Sequence, residues 1–430
     1  MKRIVVIGAG PAGIEAALTL ANHGENVTIV TDRQVGDWKL SSTAYWLKLI
    51  GKSDEGISIK NVKKDVEQLN ESWSNSITAL LEEQKVNIVI GKASIISPNE
   101  MIVRNDIHEQ RLSADYFILS VGSRPFFPET MLPDGKQIFS YDTINDIHNI
   151  PKSIVVVGDG PIGFEAVHIF SKLGSSVKWL VPPNGPSSLL FDEEVDRYLL
   201  SLYKEKGVNY FPGDYVSSVE KKGDHIIAYR GNGEVFKARM AFLTLGFRSN
   251  LDTLQLQNAD LTLDEYGMLD LNEYGQTKHR HIYVVGDAEK TISAVYSAAR
   301  ARVAALHLIG KEVTPVNIQK LPLSFHDYPE VSQVGNLDDS LNYKMIRYDK
   351  RNFNSFLTKE REGFIKLAWN DKKVLVGALA VGYLAKDLIS QLALLINLKI
   401  PINELSTHFS AHPSMSEFVI NELHSLIDQT

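Results

Sequence analysis

A glycine-rich loop occurs twice in this chain, each time between a β-branched strand and a helix. The first loop reads Gly-Ala-Gly-Pro-Ala-Gly and the second reads Gly-Asp-Gly-Pro-Ile-Gly. In a G-x-G-x-x-G loop the first glycine permits a tight turn, the second lets the backbone approach a pyrophosphate, and the third allows close helix–strand packing. Because Gly8 and Gly158 are 150 residues apart, we infer two βαβ nucleotide-binding units rather than a short-period repeat.

These loops define the candidate nucleotide contacts, which are Gly8, Gly10, Pro11, Ala12 and Gly13 in the first unit and Gly158, Gly160, Pro161, Ile162 and Gly163 in the second. An acidic residue after the second strand of such a unit binds a ribose hydroxyl. Asp32 is the candidate in the first unit, although an ungapped count places Thr31 there. The second unit has Leu-Val-Pro-Pro at 180–183, with neither an acid nor the basic cluster that suits a 2′-phosphate. The choice between NADH and NADPH therefore stays open.

The rest of the chain continues the α/β pattern and then changes. Strands ending in glycine are predicted at 116–122, 241–246 and 282–286, and a helix is predicted at 293–309. Alternating strands and helices are typical of α/β folds with parallel sheets. Beyond Pro315 the pattern changes to short alternating strands at 363–369 and 374–381. Two helices are predicted after them, near 385–397 and 413–427.

Composition excludes several classes of function. The 430 residues include no cysteine, which rules out disulfides, thiolate metal sites and thiol nucleophiles. The net charge of −7 argues against a nucleic-acid or anionic-membrane partner. No window has ~18 uninterrupted apolar residues, and no histidine–carboxylate cluster has metal-ligand spacing. We therefore expect no membrane association, no metal site and a cytoplasmic location.

The order of these features resembles the flavoprotein pyridine-nucleotide disulfide oxidoreductases, the family of dihydrolipoamide dehydrogenase, glutathione reductase and mercuric reductase. The shared features are the two fingerprints, the strand–glycine units at Gly122 and Gly246, and Gly286-Asp287. In addition, Ala-His-Pro-Ser-Met-Ser-Glu at 411–417 resembles the H-P-T-x-S-E signature of the family's dimerisation domain. The resemblance covers essentially the whole chain.

The resemblance implies two Rossmann-like nucleotide-binding domains, each three-layered with a parallel sheet, and a C-terminal α+β dimerisation domain. We predict a discontinuous FAD-binding domain (1–150 and 251–312), an NAD(P)-binding domain (151–250) and a dimerisation domain (313–430). The family assigns Gly122, Gly286 and Asp287 to FAD, with Asp287 bonded to the ribityl chain, and Gly246 to the NAD(P) site. NADH or NADPH is implied as co-substrate. The implied assembly is a homodimer in which each active site uses His412 of the partner subunit.

The family's redox motif, G-G-T-C-x-N-x-G-C-x-P-[ST]-K, corresponds without gaps to residues 36–48. Lys39 and Ala44 stand at its two cysteine positions, so disulfide reduction by the thiolate mechanism is excluded. Lys48 matches the family lysine that approaches the flavin N5 and pairs with a glutamate, here Glu165. The candidate substrate contacts are Lys39, Ala44 and Tyr45, with Ser41, Ser42, Thr43 and Trp46 beside them. The alternative is that most of these side chains pack within a helix or face solvent.

His412 and Glu417 are a further pair that the resemblance assigns to catalysis. In the family, the histidine exchanges a proton and the glutamate orients its ring, and imidazole is well suited to protonating a reduced acceptor. The predicted function is an FAD-dependent NAD(P)H oxidoreductase that passes electrons to a non-disulfide acceptor, either quinone-like or a small metabolite. The alternative is a flavin-binding regulatory or redox-sensing protein, which the missing ribose acid and the missing dithiol relay would fit.

Overall fold

The computed structural model describes residues 1–36, 43, 46–47, 50, 58–183, 191–289, 293–325, 329–338, 341–349 and 353–428. The helices of these regions are α1 (Pro11–Asn22), α2 (Ile59–Glu83), α3 (Pro161–Lys172), α4 (Glu193–Glu205), α5 (Ala294–Leu308), α6 (Phe353–Thr358), α7 (Ala385–Leu398) and α8 (Met415–Asp428). The strands are β1 (Arg3–Ile7), β2 (Asn26–Thr31), β3 (Asn87–Ile90), β4 (Lys92–Ser97), β5 (Glu100–Arg104), β6 (Glu109–Ser113), β7 (Tyr116–Leu119), β8 (Ser123–Pro125), β9 (Ile138–Ser140), β10 (Ser153–Val157), β11 (Ser176–Val181), β12 (Asn209–Pro212), β13 (Val216–Lys222), β14 (His225–Arg230), β15 (Val235–Ala238), β16 (Met240–Leu243), β17 (Phe247–Ser249), β18 (Ile282–Val284), β19 (Leu323–Phe325), β20 (Val331–Gly335), β21 (Asn342–Arg347), β22 (Gly363–Trp369) and β23 (Leu375–Gly382).

The chain divides into two compact units. Unit 1 comprises residues 1–42, 58–129 and 245–316, and unit 2 comprises residues 43–57, 130–244 and 317–430. The predicted NAD(P)-binding and dimerisation domains fall largely within unit 2. Their boundaries stay a prediction.

Unit 1 is built on a parallel sheet with the strand order β18-β7-β1-β2-β3. Successive residues of a strand face opposite sides of the sheet, and β1 shows the result. Ile4 and Val6 pack in a core with α1 and α5, whereas Val5 and Ile7 pack in a second core with the antiparallel sheet β4-β5-β6. The parallel sheet is therefore the middle layer of three.

Unit 2 contains a second parallel sheet, ordered β12-β11-β10-β16-β9, and the antiparallel sheet β13-β14-β15. Its C-terminal part is an antiparallel sheet, β19-β20-β23-β22-β21, whose core side chains pack with those of α7 and α8. The ring of Phe164 on α3 lies 4.8 Å from that of Trp179 and 5.4 Å from that of Phe325. These contacts attach α3 to the C-terminal sheet.

The predicted fold class is confirmed. Both βαβ units form parallel sheets, and the C-terminal region forms an antiparallel sheet with helices. The helices predicted at 385–397 and 413–427 correspond to α7 and α8. Among the described residues, no helix combines the length and the apolar character that crossing a membrane requires.

Candidate functional site

The first glycine-rich loop joins β1 to α1, and close backbone packing requires two of its glycines. Gly8 has a φ of +108°, and a Cβ at this position would overlap the carbonyl oxygen of Ser120. A Cβ on Gly13 would overlap the carbonyl oxygen of Gly8. The Ser120 hydroxyl lies 2.9 and 3.0 Å from the carbonyl oxygens of Ile7 and Gly8. The first and third glycines therefore let the helix and the neighbouring strand approach the loop.

The space beside the second glycine of this loop is open. Among the described residues other than its chain neighbours, none has an atom within 4 Å of the position that a Cβ on Gly10 would occupy. Gly10 is the N-cap of α1 and Pro11 is its first helical residue. A glycine N-cap offers no side chain to the first backbone N–H groups, which leaves them available to an anion. The loop therefore has the shape and polarity that a pyrophosphate requires.

Asp32 lies one residue beyond β2, at the carboxyl edge of the parallel sheet. The Thr31 hydroxyl is engaged with the backbone of Arg33 and Thr31 is buried. The Asp32 carboxylate is 58% exposed and lies 3.9 Å from the guanidinium of Arg33. Of the two residues considered for the ribose, Asp32 is the one with an accessible oxygen.

The remaining candidates for FAD lie at turns of unit 1. Gly286 begins a short 3₁₀ helix, and a Cβ there would come within 2.8 Å of the Ala12 side chain. Asp287 Oδ1 accepts a hydrogen bond from Ser297 Oγ at 3.1 Å. Gly122 has a φ of +66° with no atom near a Cβ position. Ser297, on α5, is a contact that sequence patterns did not identify.

The second glycine-rich loop repeats the geometry of the first between β10 and α3. Gly158 has a φ of +123°, and a Cβ there would overlap Thr244. A Cβ on Gly163 would lie 2.6 Å from the carbonyl oxygen of Gly158, whereas the space beside Gly160 is open. Pro161 begins the helix, as Pro11 does in the first unit. This loop also fits a pyrophosphate.

Other predicted residues of the second nucleotide site are placed as follows. Ile162 is half-buried in the first turn of α3, and Glu165 is buried one turn later. Gly246 belongs to unit 1, whereas the second loop belongs to unit 2. Gly246 has a φ of +105°, and its carbonyl oxygen accepts the N–H of Phe126 at 3.0 Å. Lys48, the predicted partner of Glu165, lies outside the described residues.

The segment that corresponds to the family's redox motif is described only at a few positions. Lys39, Ala44 and Tyr45, the candidate substrate contacts, lie outside the described residues, as do Ser41 and Ser42. Thr43 and Trp46 are both buried, with exposures of 1% and 0%. Trp46 Nε1 donates a hydrogen bond to Asn145 Oδ1 at 2.9 Å. Burial of these two side chains favours the packing interpretation over a role in binding an acceptor.

His412 and Glu417 are in contact, as predicted. His412 Nδ1 and Glu417 Oε1 are 2.8 Å apart, and the histidine side chain is 64% exposed. Glu417 Oε2 accepts the N–H of Ser414 at 3.1 Å, while Glu417 N–H donates to Ser414 Oγ at 3.3 Å. This reciprocal pair is a capping box at the start of α8. The hydrogen bonds from His412 and from the Ser414 N–H lower the pKa of Glu417.

A residue that sequence patterns missed completes the surroundings of the histidine. The ring of Phe353, on α6, is stacked on that of His412 at 5.6 Å with an interplanar angle of 10°. Glu417 therefore fixes the ring at Nδ1 and Phe353 covers one of its faces, so that Nε2 is the ring nitrogen that Glu417 does not engage. The Ser-x-x-Glu spacing at 414–417 is a sequence signal for the capping box. No comparable signal connects Phe353 with His412.

Comparison with known proteins agrees with this geometry. Residues 2–301 match the family model described as pyridine nucleotide-disulphide oxidoreductase. Residues 321–422 match the dimerisation domain of the same family, which supports a homodimer. Together these matches include both glycine-rich loops and the His412–Glu417 pair.

Relatives and solved structures extend over nearly the whole chain. An NAD(P)H dehydrogenase (quinone) of Mycobacterium tuberculosis is 26% identical over 97% of this chain and 92% of its own length. A dihydrolipoyl dehydrogenase of Staphylococcus aureus is 27% identical over 97% of this chain and 94% of its own. The crystal structure of LpdA from Mycobacterium tuberculosis has a TM-score of 0.91 at 24% identity, covering 99% of this chain and 100% of that one. The HOCl-induced flavoprotein disulfide reductase RclA from Escherichia coli has a TM-score of 0.85 at 17% identity, with coverages of 99% and 100%.

The family model alone spans more than half of the sequence, and members of this family are FAD-dependent oxidoreductases that use pyridine nucleotides. The chain therefore belongs to the pyridine nucleotide-disulphide oxidoreductase family.

Proposed function

We propose that this protein is an FAD-dependent NAD(P)H oxidoreductase that delivers electrons directly to a non-disulfide acceptor, without a dithiol relay. The acceptor class we favour is quinone-like, with a small oxidised metabolite as the second class. The reaction would take place in the cytoplasm, where nicotinamide nucleotides are abundant.

One observation carries this proposal: a complete family frame occurs in a chain of 430 residues that contains no cysteine. A thiolate relay requires two sulfurs close to the flavin, and this chain supplies none. The name of the M. tuberculosis relative, NAD(P)H dehydrogenase (quinone), supports a non-disulfide acceptor within the same family.

The chain's own residues fit the two nucleotides. Gly10 and Gly160 each leave open space at the N-terminus of a helix, so α1 would hold the pyrophosphate of FAD and α3 that of NAD(P)H. Asp32 would bind the FAD ribose, and Asp287, with its Oδ1 held by Ser297, would bind the ribityl chain. When bound, FAD supplies the capacity to accept a hydride and to pass on two electrons.

His412 would supply the proton that a reduced acceptor takes up. Its Nδ1 is bonded to Glu417 at 2.8 Å, so Nε2 is the atom available for exchange with the acceptor. Glu417 would stabilise the ring after it gains a proton and would hold its orientation. In the implied homodimer, the proton would come from His412 of the partner subunit.

Anaerobic stopped-flow mixing of the flavin-loaded protein with NADH or NADPH tests the first half of this proposal. We expect the oxidised flavin absorbance to bleach within seconds with at least one of the two nucleotides. A flavin that stays oxidised with both would refute the proposal and would instead support the flavin-binding regulatory or redox-sensing function.

The acceptor is tested in a second experiment. Quinones, small oxidised metabolites and lipoamide would each be mixed with the reduced protein, and the rate of flavin reoxidation measured under anaerobic conditions. We expect reoxidation by a quinone or a metabolite and none by lipoamide. A single metabolite preferred by several orders of magnitude would identify a specialised reductase, and turnover with lipoamide would contradict direct electron delivery.

A further inference from the structure

The two glycine-rich loops have the same backbone geometry, but the acidic residue follows the second strand in the first unit and lies within the loop in the second. In both units the first glycine donates its N–H to the second strand, from Gly8 to Val30 O at 2.7 Å and from Gly158 to Leu180 O at 3.1 Å. The two loops can therefore be compared residue by residue. The first unit has Ala9 in the loop and Asp32 beyond the strand, whereas the second has Asp159 in the loop and a proline at the position of Asp32.

The equivalence of Asp32 and Pro182 follows from counting, since each stands 24 residues after the first glycine of its unit. Asp32 is the candidate ribose acid of the first unit, one residue beyond the position that an ungapped count gives, and the second unit has no acid at either position. Neighbouring strands of a sheet lie ~4.8 Å apart. Because β10 pairs directly with β11, with Val157 opposite Leu180, Asp159 and Pro182 each follow two residues after this paired position, at the same edge of the sheet.

The electrostatics of Asp159 agree with a carboxylate that has no cation to neutralise it. Asp159 is half-buried, and burial raises its pKa. Among the described residues, no lysine, arginine or histidine is hydrogen-bonded to it. Burial, together with the charges of Asp196 and Asp159, raises the pKa of Tyr210 on β12 to about 12. The field of Asp159 therefore reaches the β11–β12 edge of the sheet.

The residues that follow β11 offer no positive charge that could bind a phosphate. The sequence from 182 to 191, which follows β11, contains no charged residue. Arg230 donates to the carbonyl oxygens of Val181, Phe211 and Pro212, and its Nη1 is paired with Glu234 at 2.9 Å. Its side chain is only 2% exposed. The guanidinium therefore binds carbonyl groups at the ends of β11 and β12. Glu234 already compensates its charge.

We propose that Asp159 is a specificity-determining residue that favours NADH over NADPH, because it supplies from the glycine-rich loop the negative charge that β11 lacks at its end. The carboxylate accepts a hydrogen bond from the 2′-hydroxyl of NADH and repels the 2′-phosphate of NADPH. This inference rests on the proposed function in that it takes the second loop to be the nicotinamide nucleotide site.

Titration calorimetry of the flavin-loaded protein with ADP-ribose and with 2′-phospho-ADP-ribose tests the proposal without requiring electron transfer. We expect the wild type to bind ADP-ribose more tightly, and Asp159→Asn to reduce the ratio of the two affinities about tenfold. Asp159→Glu, which restores the charge, should restore the preference. Asp224→Asn, the same chemical change in the turn between β13 and β14, should leave the ratio unchanged.

Several outcomes would overturn the proposal. An unchanged affinity ratio in Asp159→Asn would show that the carboxylate does not distinguish the 2′-hydroxyl from the 2′-phosphate. An equal increase in affinity for both probes would show that the carboxylate repels only the pyrophosphate that the two probes share. If the wild type bound neither probe, the second loop would not be a nicotinamide nucleotide site. By contrast, the expected ratios combined with a flavin that neither NADH nor NADPH reduces would support this inference and refute only the proposed function.

Discussion

Replacing His412 with glutamine tests proton delivery most directly. The variant keeps a polar side chain but removes the imidazole, the usual proton donor of enzymes at neutral pH. General acid catalysis contributes about 10²–10⁴-fold to a rate, so we expect the reoxidation of the reduced flavin by a quinone to slow by this factor. Because the proposal assigns His412 to the acceptor, flavin reduction by NADH or NADPH should change by less than about twofold, roughly 0.4 kcal/mol in activation free energy.

Glu417 has two contacts that can be tested separately. Its Oε1 is bonded to His412, and its backbone N–H donates to the Ser414 hydroxyl. Glu417→Gln removes the charge that stabilises the protonated ring, and misorientation of a catalytic group can cost ~10²-fold. We therefore expect quinone reoxidation to slow by about 10- to 100-fold. Ser414→Ala removes only the capping hydroxyl, so it should lower stability by about 1 kcal/mol with little change in this rate.

The assay is anaerobic stopped-flow absorbance of the flavin, with the reductive and oxidative half-reactions measured separately. It should be carried out well above pH 4.5, the ordinary pKa of a glutamate. Because the pKa of Glu417 is lowered, its stabilising contribution is present above that value and is lost as the pH falls through the lowered pKa. A His412→Gln variant with an unchanged oxidative half-reaction, or with an equally slowed reductive one, would refute a role in proton delivery.

Three further predictions concern buried or stacked side chains. Burial, followed by the charges of Lys206 and Lys172, lowers the pKa of His168 to about 3. Below pH 6.5, the wild type should therefore lose about 1.4 kcal/mol of unfolding free energy per pH unit relative to the His168→Leu variant. Melting temperatures of the two proteins that fall in parallel from pH 7.5 to 5 would contradict this. Lys366 Nζ and Asp192 Oδ2 form a buried pair at 2.7 Å with exposures of 5% and 6%, so Lys366→Met should destabilise by about 3–5 kcal/mol and Asp192→Asn/Lys366→Met by much less, as measured by thermal melting. Phe353→Ala should slow quinone reoxidation severalfold without changing flavin reduction, and equal rates in both half-reactions of wild type and variant would show that the stack on His412 has no positioning role.

The two glycine-rich loops could be predicted from the sequence because their constraints are local. At Gly8 and Gly158 a positive φ and a crowded Cβ position exclude other residues. At Gly10 and Gly160 the open space is itself the feature that a ligand needs. The immediate surroundings therefore require glycine at each of these positions. This requirement can be inferred from the motif in its strand–helix context.

The contacts that sequence patterns missed depend on residues far apart in the chain. Phe353 precedes His412 by 59 residues, and the two rings meet because α6 and the segment before α8 belong to the same unit. Trp46 was grouped with candidate acceptor contacts, yet it is buried and bonded to Asn145, 99 residues later. An aromatic residue in a motif does not by itself indicate whether it faces a ligand or the core, because packing decides that.

The glycine-rich loops and the His412–Glu417 pair do not involve sulfur, which would explain how the proposed reaction proceeds without cysteine. In the proposed function, the glycine-rich loops would hold phosphates through backbone N–H groups and helix N-termini. The His412–Glu417 pair would move a proton through an imidazole whose position is fixed by a carboxylate, a capping box and a stacked ring. None of these devices involves sulfur. The absence of cysteine at positions 39 and 44 therefore leaves no dithiol relay between flavin and acceptor, but it does not affect the residues proposed to bind the nucleotides and to deliver the proton. We therefore expect a change of acceptor rather than a loss of redox chemistry.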